Sequence, residues 1–247
     1  MDGEFRKLWA GQAVSVVGSN ITLIALPLTA ALTLAATPQE MGLLTAAGWL
    51  PILLFSLLAG VWADRLQRRP VLIATDIARA AILGTIPVAA LLGVLTIAHV
   101  LIAAFLAGAM TVLFRSAYVP FIPALVPREG LVDANARLAL NESVARVLGP
   151  SLGGVLVQVV SAPVAIAADA VSFLVSAYAI ASIRVTETAP DPAKRRSIWI
   201  EMGEGMRVVA RNAFVRSVTI IAGIFNLAII TGETIYILYA TRVLGLD

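Results

Sequence analysis

The sequence contains no cysteine and a single histidine, His99. Disulfides and thiol chemistry are thereby excluded, and a histidine-built metal or catalytic centre has almost nothing to draw on. Charge is scarce too: Asp, Glu, Lys and Arg make up 13% of the 247 residues, about half the share of a soluble domain. No G-x-x-x-x-G-K-[ST] phosphate loop occurs, which removes a nucleotide-driven pump. Residues 213–247 hold no lysine for a retinal Schiff base. A serine protease reading fails on geometry, because Ser151 belongs to an apolar helix entered from one membrane face and His99 to a loop on the other. Nothing calls for a cofactor, a metal, a catalytic residue or nucleic acid.

What is present is apolar length. Hydrophobic residues are 60% of the chain and the mean hydropathy is +0.93. A transmembrane helix needs about 20 mainly apolar residues, and the uncharged runs supply seven: roughly 8–33, 42–63, 71–93, 98–119, 138–160, 163–183 and 214–240. The run 80–114 is too long for one crossing and breaks between Gly93 and His99. The first run is too long for a cleavable leader, and six more follow it. With the N-terminus inside, 17 of the 18 Lys and Arg residues fall on the cytoplasmic side, leaving Arg242 outside. This bias predicts a multi-pass protein of the inner or plasma membrane with a cytoplasmic N-terminus. It opposes a seven-helix receptor, whose N-terminus lies outside.

The outer connections are short: TPQE at 37–40, GVLTIAH at 93–99, SAP at 161–163. They predict that consecutive helices lie antiparallel and adjacent. The chain divides into a six-helix bundle, 1–183, a basic linker, 184–212, and a seventh helix within 213–247 that reads as the start of an incomplete second bundle. In the linker, Ile198, Met202, Met206 and Val209 share one helical face, the pattern of a helix lying on the inner leaflet. Six spans also divide as three plus three, as in the inverted repeats of many secondary transporters. The expected fold class is an all-α membrane protein.

GVWADRLQRRP, 60–70, concentrates Asp64, Arg65, Arg68 and Arg69 in an otherwise uncharged region. Anchoring by positive charge explains the arginines but not Asp64 or Gly60. The string resembles the loop 2–3 motif of the major facilitator superfamily, G-x-x-x-D-R-x-x-R-R, matching at Gly60, Asp64, Arg65, Arg68 and Arg69. The resemblance implies a gate in which the aspartate and arginines stabilise one transport conformation. RVLGPSLGGVL, 146–156, sets Gly149 and Gly153 one turn apart, with Ala145 a turn before, a face on which another helix packs at backbone distance. Pro150 removes a backbone donor there. Gly149, Pro150, Gly153 and Gly154 resemble the helix 5 motif of superfamily exporters and antiporters, although Ala145 stands where that motif has a further glycine.

Segments 124–150, 165–177 and 204–212 are similar to the branch that contains enterobactin and macrolide exporters. The resemblance implies a major-facilitator-type N-terminal bundle with 3+3 repeats. It departs at helix 4: the arginine of proton-coupled drug antiporters has no counterpart in HVLIAAFLAGAMTVLF, and Arg115 lies too near the cytoplasmic end.

A charge inside a span implies a partner or a wet path. Asp76 and Arg79, three apart, can pair on one face of helix 3 and read as an extension of the cytoplasmic charge network. Asp169 lies deep in helix 6 with no basic residue near it in sequence, which makes it the leading candidate for proton exchange. Glu233 in helix 7 is similarly isolated. Arg146 can pair with Glu142 four residues earlier. Gln12 and Asn20 of helix 1 either line a cavity or hydrogen-bond a neighbouring helix. The expectation is an exporter of a small amphiphilic molecule, drug- or siderophore-like, working by alternating access with protons as coupling ion. Its partners are the lipid bilayer and a missing C-terminal half or a second copy. The alternative is a truncated, inactive or regulatory half that acts by associating with other membrane proteins.

Overall fold

The computed structural model describes residues 3–63, 66–185, 203, 207 and 209–242. Asp64 and Arg65 of the loop motif, and Ile198, Met202 and Met206 of the linker face, lie outside the described residues, as do the surroundings of Gly60 and the side chain of Glu233. Helix α1 spans Gly3–Leu28 and continues as a π-helical turn, Thr29–Thr33; α2 spans Pro38–Ala63, α3 Arg68–Leu91 and α4 Ile97–Leu125. A short 3-10 turn, Arg128–Gly130, leads into α5, Leu131–Val159, and α6 spans Ala162–Ala181. The helix Ala213–Arg242, α7 here, follows the linker.

Local chemistry sets the ends. TPQE forms a capping box: the Thr37 amide donates to Glu40 Oε2 at 2.7 Å, and the Glu40 amide donates to Thr37 Oγ1 at 3.3 Å, so two orphan donors at the start of α2 are satisfied reciprocally. Gly93, at φ +69°, supplies the left-handed turn that ends α3. Thr96 caps α4 by accepting from the His99 amide at 3.3 Å. Helix α5 begins at Leu131, ahead of its apolar run, and carries Asp133, Arg137, Glu142 and Arg146 in that first half. Helix formers such as Leu, Ala and Arg extend the helix ahead of that run.

Five stretches are long and apolar enough to cross a membrane among the described residues: Gly3–Thr33, Arg68–Leu91, Ile97–Leu125, Ala162–Ala181 and Ala213–Gly232. Polarity is distributed inside out. Gln12, Ser15, Thr75, Asp76, Arg79, Asp169, Ser172 and Ser176 are buried, while Trp49, Leu53, Leu54, Phe214, Ile221 and Phe225 are exposed. A surface of that kind is stable only against an apolar solvent.

The expected adjacency of consecutive helices is corrected. Helices α3 and α4 do pack together, but α1 and α2 run apart and α5 touches α6 only slightly. The main pairs are α1 with α6, α1 with α5, α2 with α4, and α3 with α6 and α4. A short connection fixes only where two helix ends meet. Side-by-side contact goes to helices whose backbones can approach most closely. A Cβ on Gly108 of α4 would lie 3.0 Å from the Gly48 carbonyl oxygen of α2, and one on Gly153 of α5 would lie 3.3 Å from the Ile21 oxygen of α1.

The five main pairs map onto one another when α1, α2 and α3 are exchanged with α4, α5 and α6. The α1–α6 pair becomes α4–α3, α1–α5 becomes α4–α2, and α3–α6 is its own image. This is the pairing of a 3+3 architecture. Helix α7 stands outside this scheme, touching α2 and the π-helical turn. None of its Ala213–Gly232 stretch is buried.

Candidate functional site

Three apolar clusters stack along the bundle. Phe5, Leu8, Leu72, Phe114 and Phe121 belong to the one nearest the basic end. Ile21, Leu83, Ile86, Ile166 and Phe173 form the middle one, and Met41, Leu44 and Val100 the far one. Between the first two lies a polar layer built by α1, α3 and α6.

Arg79 and Asp76 of α3 form an ion pair through Nη2 and Oδ1, with the arginine 5% and the aspartate 0% exposed. The guanidinium carbon sits 4.4 Å from the ring centre of Phe114 on α4 and 4.0 Å from that of Phe173 on α6. Two ring faces on a desolvated cation are each worth about 0.5–2 kcal/mol. Deleting one partner of such a pair leaves an uncompensated buried charge, at a cost of about 3–5 kcal/mol. Asp76 Oδ2 and Arg79 Nε are buried without a hydrogen-bond partner, so the pair leaves capacity unused.

Asp169, 1% exposed, lies one turn before Phe173 on α6. The aromatic face that holds Arg79 thus brings this second carboxylate within the guanidinium's electrostatic reach. Its Oδ1 accepts from Ser172 Oγ at 3.0 Å. Ser19 and Thr22 of α1 face it, and Thr22 Oγ1 is buried without completing a hydrogen bond. Room for the carboxylate comes from Gly18: a Cβ there would overlap Ser172 Oγ and come 2.7 Å from Asp169 Oδ1. A turn further along, Gln12 Nε2 donates to Ser176 Oγ at 3.0 Å, and Ser176 faces Asp76.

The structure therefore joins what the sequence separates. Asp169 is not isolated, and Asp76 and Arg79 are not a fringe of the surface charge network: all three form one buried cluster. Gln12 hydrogen-bonds the neighbouring helix. Asn20 bonds back to the Val16 carbonyl of its own helix at 2.8 Å, and its Cβ is what a side chain on Gly149 would strike. Gly149 and Gly153 thus face α1, with Ala145 fully buried a turn before, whereas nothing lies within 4 Å of a Cβ on Gly154. Pro150 sits inside α5. Glu142 and Arg146 are exposed and form no ion pair among the described residues, whereas Asp133 and Arg137 of α5 pair at i,i+4, at 2.9 Å. Both side chains of the expected pair reach solvent, where pairing gains little.

Sequence reading missed Gly18, Ser19, Thr22, Ser172, Ser176, Phe114 and Phe173. A signal existed: Gly11, Ser15, Gly18 and Thr22 fall at i, i+4, i+7 and i+11, a small and polar stripe along α1.

The described part of the loop motif grips two helix ends. Arg68 Nη1 donates to the Pro120 carbonyl at 2.9 Å. Arg69 donates through Nε to the Ile180 carbonyl at 3.3 Å and through Nη2 to that of Ala181. Lys7 Nζ reaches the Ser182 carbonyl at 3.0 Å. Two cations thus cap the C-terminal end of α6, where carbonyls lack partners and the helix dipole is negative. At the opposite end of the bundle, an open groove of about 450 Å³ is lined by Gly84, Thr85, Val88, Leu92 and His99, with Thr85 Oγ1 2.8 Å from His99 Nε2.

A family described as transmembrane secretion effector, of the major facilitator superfamily, matches residues 2–245. The chain belongs to this family. Among its relatives, Macrolide efflux protein A of Streptococcus pyogenes is 26% identical over 210 residues, covering 85% of this chain and 52% of that protein. The Multidrug efflux pump Tap of Mycolicibacterium fortuitum is 28% identical over 216 residues, covering 83% and 51%. The Uncharacterized MFS-type transporter YfiS of Bacillus subtilis is 24% identical over 208 residues, covering 83% and 48%. The chain spans about half the length of these relatives. As a member of the secretion effector family with this inside-out polarity, it is an integral membrane protein.

Proposed function

We propose that this chain is the N-terminal half of a secondary exporter that moves a small amphiphilic molecule out of the cell in exchange for protons. Family membership and the efflux proteins among its relatives support export. The observation that carries the coupling is the burial of Asp169 beside an arginine already paired to another aspartate. Two carboxylates and one guanidinium in a buried layer cannot all be charged without a large desolvation cost, so a proton is the natural balancing ion.

The mechanism is alternating access. This bundle and a second one, supplied by further chain or by another copy, rock about a site near the membrane midplane. Asp169 takes up a proton from one side and releases it on the other, and the substrate moves oppositely. The cytoplasmic N-terminus places Arg68 and Arg69 on the inner face, where with Gly60, Asp64 and Arg65 they act as the gate. Bonds from Arg68 and Arg69 to α4 and α6 give that gate a hold on the helix that bears Asp169.

The test uses the full-length protein in proteoliposomes with an imposed pH gradient. Wild type is expected to drive efflux of a lipophilic dye or macrolide in proportion to the gradient. Asp169→Asn is expected to lower gradient-driven efflux at least about tenfold, equivalent to about 1.4 kcal/mol, while substrate exchange without a gradient continues. Gradient-independent efflux by wild type would remove the coupling, and full uphill transport by Asp169→Asn would assign it to another carboxylate.

A further inference from the structure

We propose that Arg79 is the positioning residue for proton exchange: Asp76 and Asp169 compete for its single guanidinium, and the carboxylate that loses the competition holds the proton. This deepens the proton-antiport reading and rests on it.

The argument begins with a charge count. Among the described residues, no other charged side chain is buried in the layer. Helix α1 presents Gln12, Ser15, Ser19 and Thr22, and α4 presents Phe114; Arg115, the nearest further charge, is exposed. The cluster therefore totals one positive and two potential negative charges, and burial favours the state with one proton aboard.

Geometry then says which carboxylate holds it here. Arg79 pairs with Asp76, and Asp169 is served by Ser172, with Ser19 and Thr22 facing it, rather than by a cation. A hydroxyl donates to a carboxylate and accepts from a carboxylic acid, so this surround holds Asp169 in either state and lets it keep a proton without a counter-charge. Arg79 is also equipped to change partner. Its guanidinium is held by two aromatic rings, whose attraction for the charge does not depend on which carboxylate its N–H groups meet. Its Nε is unpartnered, and so is Asp76 Oδ2. When Asp169 releases its proton to water on the open side, the new anion draws the guanidinium across from α3 towards α6. Asp76, which Ser176 faces, is then left without its cation and takes up the incoming proton. One proton moves per exchange, and no other group is consumed. Because Asp169 lies where α1 packs on α6, at the Gly18 notch, each change of partner alters the contact between those helices.

The experiment measures the pH dependence of gradient-driven efflux by the full-length protein in proteoliposomes, with gradient-free substrate exchange as the control for folding. Asp76→Asn leaves Arg79 to Asp169 alone, favours the Asp169 anion, and is expected to move the midpoint to lower pH by at least one unit. The double variant Asp76→Asn with Arg79→Gln removes the pair without stranding a buried charge. It leaves Asp169 without a cation and is expected to move the midpoint to higher pH by a similar amount. Opposite shifts support the proposal, since a merely structural pair would lower activity in both variants without moving either midpoint. Unshifted midpoints, or shifts in one direction, overturn it. A wild type that transports but ignores the gradient overturns both this inference and the antiport reading, whereas a gradient-driven wild type with unshifted variants overturns this inference alone.

Discussion

At the scale of single residues, the site is a problem in fitting charge into a buried place. Asp76 and Arg79 meet because three positions along a helix put them on one face, which the sequence shows directly. Asp169 joins them from 90 residues away, and only the packing of α6 against α1 and α3 reveals it. Gly18 is the residue on which this depends. Gly18→Val would push into Ser172 Oγ and Asp169 Oδ1, and overpacking of this kind costs about 1–3 kcal/mol. Thermal unfolding in detergent is expected to show that loss, together with reduced gradient-driven efflux, because the displaced carboxylate no longer faces Arg79.

At the scale of elements, the helix 5 motif separates into two roles. Gly149 and Gly153 give α5 its close approach to α1, while Gly154 one position further meets nothing. Gly149→Ala is therefore expected to destabilise the bundle by about 1–3 kcal/mol, since its Cβ would overlap that of Asn20. Gly154→Ala is expected to be neutral or to stabilise by about 0.5–1 kcal/mol, the ordinary gain on replacing a mid-helix glycine. Unfolding midpoints of the two variants measured side by side would check this; equal losses would mean that the motif serves something other than α1–α5 contact. The spacing of the glycines was legible, because four residues is one turn. Which helix they meet was not, since a small-residue face fits any helix that comes near enough.

At the scale of the molecule, the main pairs among the six helices are symmetric under exchange of the two halves, and polarity runs from a charged interior to an apolar exterior. The charge bias that sets orientation has a direct test, helped by the absence of cysteine from this chain. Gln39→Cys and Glu129→Cys occupy exposed positions in connections at opposite ends of the bundle. In intact cells, a membrane-impermeant maleimide is expected to label Gln39→Cys, and to label Glu129→Cys only after permeabilisation. The reverse pattern would invert the topology and with it the direction assigned to transport.

The sequence by itself determined the all-α class, the basic bias between the connections and the family motifs, because each depends on composition or spacing within one segment. Helix periodicity also fixed the Asp76–Arg79 pairing. Tertiary structure alone decided that neighbours in the chain are not always neighbours in the bundle, and that Asp169 shares an arginine with Asp76. Those outcomes rest on how closely backbones approach and on which buried charges find one another, and both are relations between segments that no single segment encodes.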